Sequence, residues 1–275
     1  MEAFTLAFNP SARPAALFPP RSFRVLLLFG APALAGFALF KLGWVSQVIL
    51  GIGGIVLLHG GLLAWALLHP FGWSRAWGRL VVTALGVLLL GGLAAEWNQW
   101  GGWMWGLLPL WIVILGRRIP DLHRLGLRPP YKFWMLPAGV GVGGFLGLHV
   151  LVTGSRMMRY RVAISPVGPW IAALAYDLGV NVVTAELLFR GAFFTAWWRR
   201  WGFWPAAILS TALSLLRYLV DPRLPKDWDV LAGASFYLLL LGLAGCALVR
   251  LSGSLFPSGL AALVFFACYR ALRLP

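Results

Sequence analysis

Apolar runs long enough to cross a bilayer recur from one end of the chain to the other, separated by short connectors rich in Arg, Gly and Pro. A hydrocarbon core about 30 Å thick takes roughly 20 apolar residues in helical conformation. Backbone polar groups inside it must satisfy one another, which selects helix for every such run. The pattern predicts spans at about 25–40, 45–68, 80–95, 102–115, 133–153, 169–198, 203–220, 231–249 and 255–272. The fourth is short and fits equally well as a re-entrant pair with the third, so eight and nine spans are both consistent. The expected fold class is all-α, a polytopic membrane helical bundle.

Polar positions inside these runs are few, which makes them informative. The sixth run is longer than one crossing needs and carries two polar stripes. Asp177, Asn181 and Thr184 follow one another at helical spacing. Glu186 lies nine residues from Asp177, about half a turn out of phase at ~100° per residue, and shares its face with Arg190. The seventh run adds Arg217, flanked by Ser214 and Tyr218. Ionisable residues at membrane depth mark a site by default, although a pair at four-residue spacing serves helix packing equally well. Gly139, Gly143 and Gly147 form a small-residue face that predicts close backbone packing. His59 and His69 are ten residues apart and off-register for a shared metal.

Composition sharpens the class. The chain of 275 residues is 60% hydrophobic and 11% charged, with a mean hydropathy of +0.82. That supports one large membrane bundle and leaves no stretch for a second soluble domain. The net charge of +15 does not argue for nucleic acid. Its arginines lie mostly between apolar runs, where lipid headgroups are the natural partners. Many of the 16 tryptophans flank the same runs as interfacial belts. Cys246 and Cys268 form no C-x-x-C pair, so neither a disulfide nor a metal site is expected. Residues 1–24 lack an apolar core and hold Pro10, Pro14, Pro19 and Pro20, which reads as a cytoplasmic lead-in. Lys and Arg outside the spans favour an N-in orientation. The preference for Arg over Lys suggests a bacterial inner membrane protein from a GC-rich genome. The basic connector 117–132 separates N-terminal transmembrane helices, 25–116, from a more polar second half.

That second half resembles a known family. Glu186-Leu-Leu-Phe-Arg190-Gly191, followed by Trp197-Trp198-Arg199-Arg200-Trp201-Gly202, is similar to the first motif of the CPBP family, E-E-x-x-x-R-G and a basic turn. These are the type II CAAX prenyl endopeptidases and bacteriocin-processing (Abi) proteins. The helix from Pro205 to Arg217 is similar to the second motif helix, F-x-x-x-H. Leu241-Gly242-Leu243-Ala244-Gly245 and Gly253-Ser254-Leu255-Phe256-Pro257 resemble the closing section, whose last helix carries H-x-x-x-N or H-x-x-x-D. The resemblance covers about 126–266 and implies a CPBP-like transmembrane core at 126–273. In active members it implies paired glutamates and a histidine that activate water, with a second histidine and a polar partner on the oxyanion.

The departures fall on those groups. The first glutamate position is Ala185, the second-motif aromatic is Leu213 and its histidine is Arg217; Ala262 and Phe266 stand where the last helix should be polar. Arginine stays protonated and cannot serve as a base. Alanine and phenylalanine side chains offer an oxyanion no hydrogen bond. Glu186 and Arg190 are the retained catalytic-motif residues, and with Arg217 they are expected to form one closed charge cluster. Other chemistries lack their residues: no H-E-x-x-H for zinc, no histidine after His149, no G-x-G-D partner for Asp177, no phosphate loop. No cofactor or metal is expected. The function expected is that of a CPBP-fold membrane protein without catalysis, binding membrane lipids and a membrane protein or hydrophobic peptide. The alternatives are an intramembrane endopeptidase with a rearranged site centred on Glu186, assisted by Asn181 or Thr184, and a small transporter using Asp177 and Arg217.

Overall fold

A computed structural model of the chain describes residues 35–46, 75–98, 101–116, 125–127, 129–157, 160–164, 166–218 and 228–273. The first two expected spans, with His59 and His69, lie largely or wholly outside these residues. The remaining expected spans all occur as helices. They are α1 (Arg75–Trp97), a 3₁₀ turn (Gly101–Gly106) running into α2 (Leu107–Gly116), α3 (Met135–Met157), α4 (Val167–Trp201), α5 (Phe203–Tyr218), α6 (Trp228–Ser252) and α7 (Phe256–Tyr269). A two-residue ribbon pairs β1 (Arg161–Val162) antiparallel with β2 (Leu272–Arg273), placing Arg161 opposite Arg273. Among the described residues, four helices are long and apolar enough to cross a membrane, at Gly78–Ala95, Met135–Met157, Val167–Trp201 and Trp228–Ser252. This is an all-α multi-pass membrane bundle.

The shorter fourth run packs back on α1: a side chain at Gly101 would run into the Ala94 backbone, and the Trp105 indole donates to the Leu88 carbonyl at 3.2 Å. Trp105 also meets Tyr176 of α4 edge-on. Gly179 lies directly against the Trp105 carbonyl, an approach no Cβ would permit. The glycine face of α3 does what its spacing predicts. Gly139 and Gly143 receive the backbone carbonyls of Pro257 and Ala261, and Gly147 receives the Cys268 side chain. Without Cβ atoms the helices α3 and α7 close to backbone contact, where dispersion replaces the hydrophobic drive that lipid does not supply.

α4 is the centre of the bundle. Its segment 180–194 is buried almost throughout, whereas α1, α3 and α6 each show Leu, Val or Phe on one side and bury the other. Two apolar clusters flank α4. One gathers α1, Trp105, Phe189, Phe193 and Trp197, and the other gathers α3, α6 and α7 around Tyr237, Phe265 and Phe266. The ends of the helices near the site are set by two turns. Gly202, at φ +82°, ends α4 with its N–H on the Trp198 carbonyl. Gly253, at φ +65°, ends α6 on the Val249 carbonyl, and Pro257 then starts α7.

Candidate functional site

The winding of α4 determines where its polar residues point. Asp177–Val182 and Glu186–Phe194 are π-helical. Bonding from i to i+5 puts more residues in each turn than the 3.6 of an α-helix, so each residue advances by less than ~100°. The expected opposition of the two stripes is therefore lost. Asp177 pairs with Arg270, just past the C-terminal end of α7, and Glu186 lies against Gly259 near its N-terminal end. Asp177 and Glu186 therefore both face the last helix, which runs antiparallel to α4.

Glu186 and Arg190 occupy one compartment. Glu186 Oε1 stands 3.8 Å from Arg190 Nε, with both side chains under a tenth exposed. The pair is loose: Glu186 Oε2 and Arg190 Nε are buried without a hydrogen-bond partner. The Ser258 hydroxyl approaches the carboxylate from α7. Gly242 and Gly245 of α6 make room for this group. A side chain at Gly242 would meet Thr211 and the Arg190 guanidinium, and one at Gly245 would meet Ser258 and Arg190 Nε. Thr211 Oγ1 is a further buried orphan, while Ser210 lies 3.6 Å from the Cys246 sulfur. Cys246 and Cys268 are free thiols. Gly191 follows the motif for a packing reason, since the Leu125 carbonyl crosses where its Cβ would stand.

Arg217 does not close on Glu186, and the single three-charge cluster expected from sequence is corrected. Arg217 is 2% exposed and donates to the Asn181 carbonyl at 2.6 Å, to Asn181 Oδ1 at 2.5 Å and to Thr184 Oγ1 at 2.9 Å. Those acceptors belong to the first stripe, and they capture the guanidinium because α5 ends beside that part of α4. Asn181 in turn donates to Asp177 Oδ1 at 3.0 Å. Asp177 receives Arg270 in a fork, Nη2 to Oδ1 at 2.8 Å and Nε to Oδ2 at 2.9 Å. The result is one buried chain of bonds, Arg270 to Asp177 to Asn181 to Arg217 to Thr184. Asp177 is thus not isolated, and Arg270 is not a free interfacial cation of the kind its position after the last apolar run predicts. Bidentate geometry is what makes Arg suited to such a place.

The substituted motif positions are filled with hydrocarbon. Ala185 lies in the cluster with Leu187 and Leu188, and Leu213 packs against it. Ala262 and Phe266 belong to the second cluster. Tyr218 spans the two features, with the Arg217 guanidinium 4.5 Å from its ring centre and the Phe266 ring 6.1 Å away. Ser252 and Ser254 hold the turn into α7: Ser252 Oγ donates to the Leu248 carbonyl and Ser254 Oγ accepts from the Phe256 N–H. His149 of α3 meets the Tyr237 hydroxyl at 2.7 Å. Among the described residues no group of three His, Cys, Asp or Glu side chains is placed to hold a metal. Sequence reasoning missed Ser258 beside Glu186 and Arg270 on Asp177. Ser258 carries a signal in retrospect, one position after the G-S-L-x-P piece.

Compared with known proteins, residues 167–266 match the family model described as type II CAAX prenyl endopeptidase Rce1-like. The match begins with α4, takes in Glu186, Arg190 and Arg217, and ends at Phe266. Neither the curated proteins nor the solved structures give a match to this chain.

Proposed function

We propose that this chain, whose residues 167–266 match the type II CAAX prenyl endopeptidase Rce1-like family model, keeps a protease-like membrane scaffold without hydrolysis and uses it to bind a membrane protein or hydrophobic peptide. The observation that carries this reading is the capture of Arg217. A guanidinium bonded to three acceptors on Asn181 and Thr184 occupies the place of a base, and arginine has no neutral form to take up a proton. Ala262 and Phe266, in an apolar cluster, leave an oxyanion without a donor from the last helix. On this reading Glu186 and Arg190 serve as internal counter-ions that position α6 and α7. An N-in placement in a bacterial inner membrane belongs to the same proposal, supported by the distribution of Lys and Arg outside the spans and by the preference for Arg over Lys.

One observation favours a second reading, an endopeptidase centred on Glu186. Its Oε2 is unpartnered, Ser258 stands beside it, and Thr211 lies by its neighbour Arg190, a polar setting in which an internal water would find hydrogen bonds. Purified protein in vesicles, incubated with prenylated and membrane-segment peptides and followed by mass spectrometry, separates the two. No new fragment is expected. Fragments that disappear with Glu186→Gln would establish the second reading.

A further inference from the structure

Apart from the Glu186 compartment, a partly open cavity of about 220 Å³ lies between α3, α6 and α7, walled by Val150, Ala234, Leu238, Phe265, Phe266 and Leu272. Four residues of its wall carry hydroxyls, Thr153, Tyr160, Tyr237 and Tyr269, and two of these are committed to each other. Thr153 Oγ1 donates to the His149 carbonyl at 2.6 Å and meets the Tyr237 hydroxyl at 2.6 Å, and Tyr237 also meets His149 Nδ1 at 2.7 Å. Water inside would find little to bond, and apolar cavities of about 150 Å³ elsewhere stay dry and take up benzene. This one is larger and belongs to a membrane bundle, where the hydrocarbon at hand is a lipid chain.

The residues at one end of the cavity add a charge. Met157, Tyr160 and Leu272 line it, and their chain neighbours are Arg156, Arg161 and Arg273. Arg161 and Arg273 stand directly opposite each other across the ribbon, an arrangement of like charges that is destabilising by itself. Leu272 turns to the cavity wall beside Gly154, so the alternation of the strand puts Arg273, with Arg161, on its outer side. Long arginine side chains reach from there into a headgroup layer. Asp229, exposed in the first turn of α6, is the chain neighbour of the lining residue Val230, so one carboxylate stands with three cations among the residues next to the lining. We infer that the cavity holds one acyl chain of an anionic phospholipid whose headgroup lies over the ribbon, against Arg156, Arg161 and Arg273.

The test reads lipid occupancy and is independent of any cleavage. The full chain, solubilised with an equimolar mixture of phosphatidylglycerol and phosphatidylcholine, is examined by native mass spectrometry. Phosphatidylglycerol is expected to be retained over phosphatidylcholine by about tenfold or more. Arg161→Gln with Arg273→Gln, both away from the core, should bring the two lipids to within a few-fold. The effect is about fivefold per arginine, which corresponds to ~1 kcal/mol per basic residue at a membrane surface. Ala234→Phe, and separately Gly233→Leu, should lower retention of both lipids by filling the cavity. Equal retention of the two lipids by the parent chain, no retained lipid, or full retention in both filled variants would overturn the inference.

Discussion

Replacing Asp177 by Leu removes the one carboxylate seen in the buried chain of bonds while keeping the side chain's branched skeleton. Asp177 is fully buried and the Arg270 side chain is only 13% exposed, so solvent screens the pair little. The substitution takes both acceptors from the Arg270 fork and one from Asn181 Nδ2. Breaking a buried pair by deleting one partner costs about 3–5 kcal/mol, because the other charge is left desolvated. At 2–4 °C per kcal/mol for a chain of this size class, the apparent melting temperature in detergent should fall by roughly 10 °C. The partner substitution supplies the control. Asp177→Leu with Arg270→Met removes both charges and should return most of the loss, since a buried pair exchanged for hydrocarbon is often neutral. A single variant within about 1 kcal/mol of the parent, or a double variant as unstable as the single, would refute the assignment of this pair as a buried structural link.

Arg217→Lys should destabilise the protein by about 1–3 kcal/mol in the same melting assay, because an ammonium cannot reproduce the planar fork that reaches Asn181 and Thr184 together. Gly143→Val should be damaging, by about 2–3 kcal/mol or more, since its side chain would enter the Ala261 backbone. Gly144→Ala, where a Cβ meets nothing within 4 Å, should be close to silent in that measurement. Tyr237→Phe should cost about 1–2 kcal/mol through its lost bonds to His149 and Thr153, measured as a shift in unfolding midpoint.

The parts of this fold that sequence reveals are those set by short-range spacing. Apolar run length located the described helices, and the four-residue glycine repeat on α3 located its contact with α7. Glu186 and Arg190 were visible as a charged pair inside an apolar run. Their phase relative to Asp177 was not, because the sequence carries no sign that α4 leaves the 3.6-residue winding on which a helical wheel depends. Arg270 was hidden for a different reason. It follows the last apolar run, where an arginine ordinarily meets headgroups, and only the return of α7 along α4 brings it to Asp177, 93 residues away. Arg217 is legible as an intramembrane charge, but its expected partner Glu186 is not the group it bonds. Nothing local distinguishes a guanidinium bound by Glu186 from one bound by an amide, a hydroxyl and a backbone carbonyl.

Hydrolysis in heavy-oxygen water tests the central claim most directly, since cleavage of a peptide bond writes one solvent oxygen into the new carboxyl terminus. The parent chain and Glu186→Gln, reconstituted side by side with prenylated and membrane-segment peptides, should both leave the peptides unlabelled over a period in which an active protease turns over many times. Label acquired with the parent chain and absent with Glu186→Gln would show that Glu186 activates water, and the non-catalytic reading would be wrong.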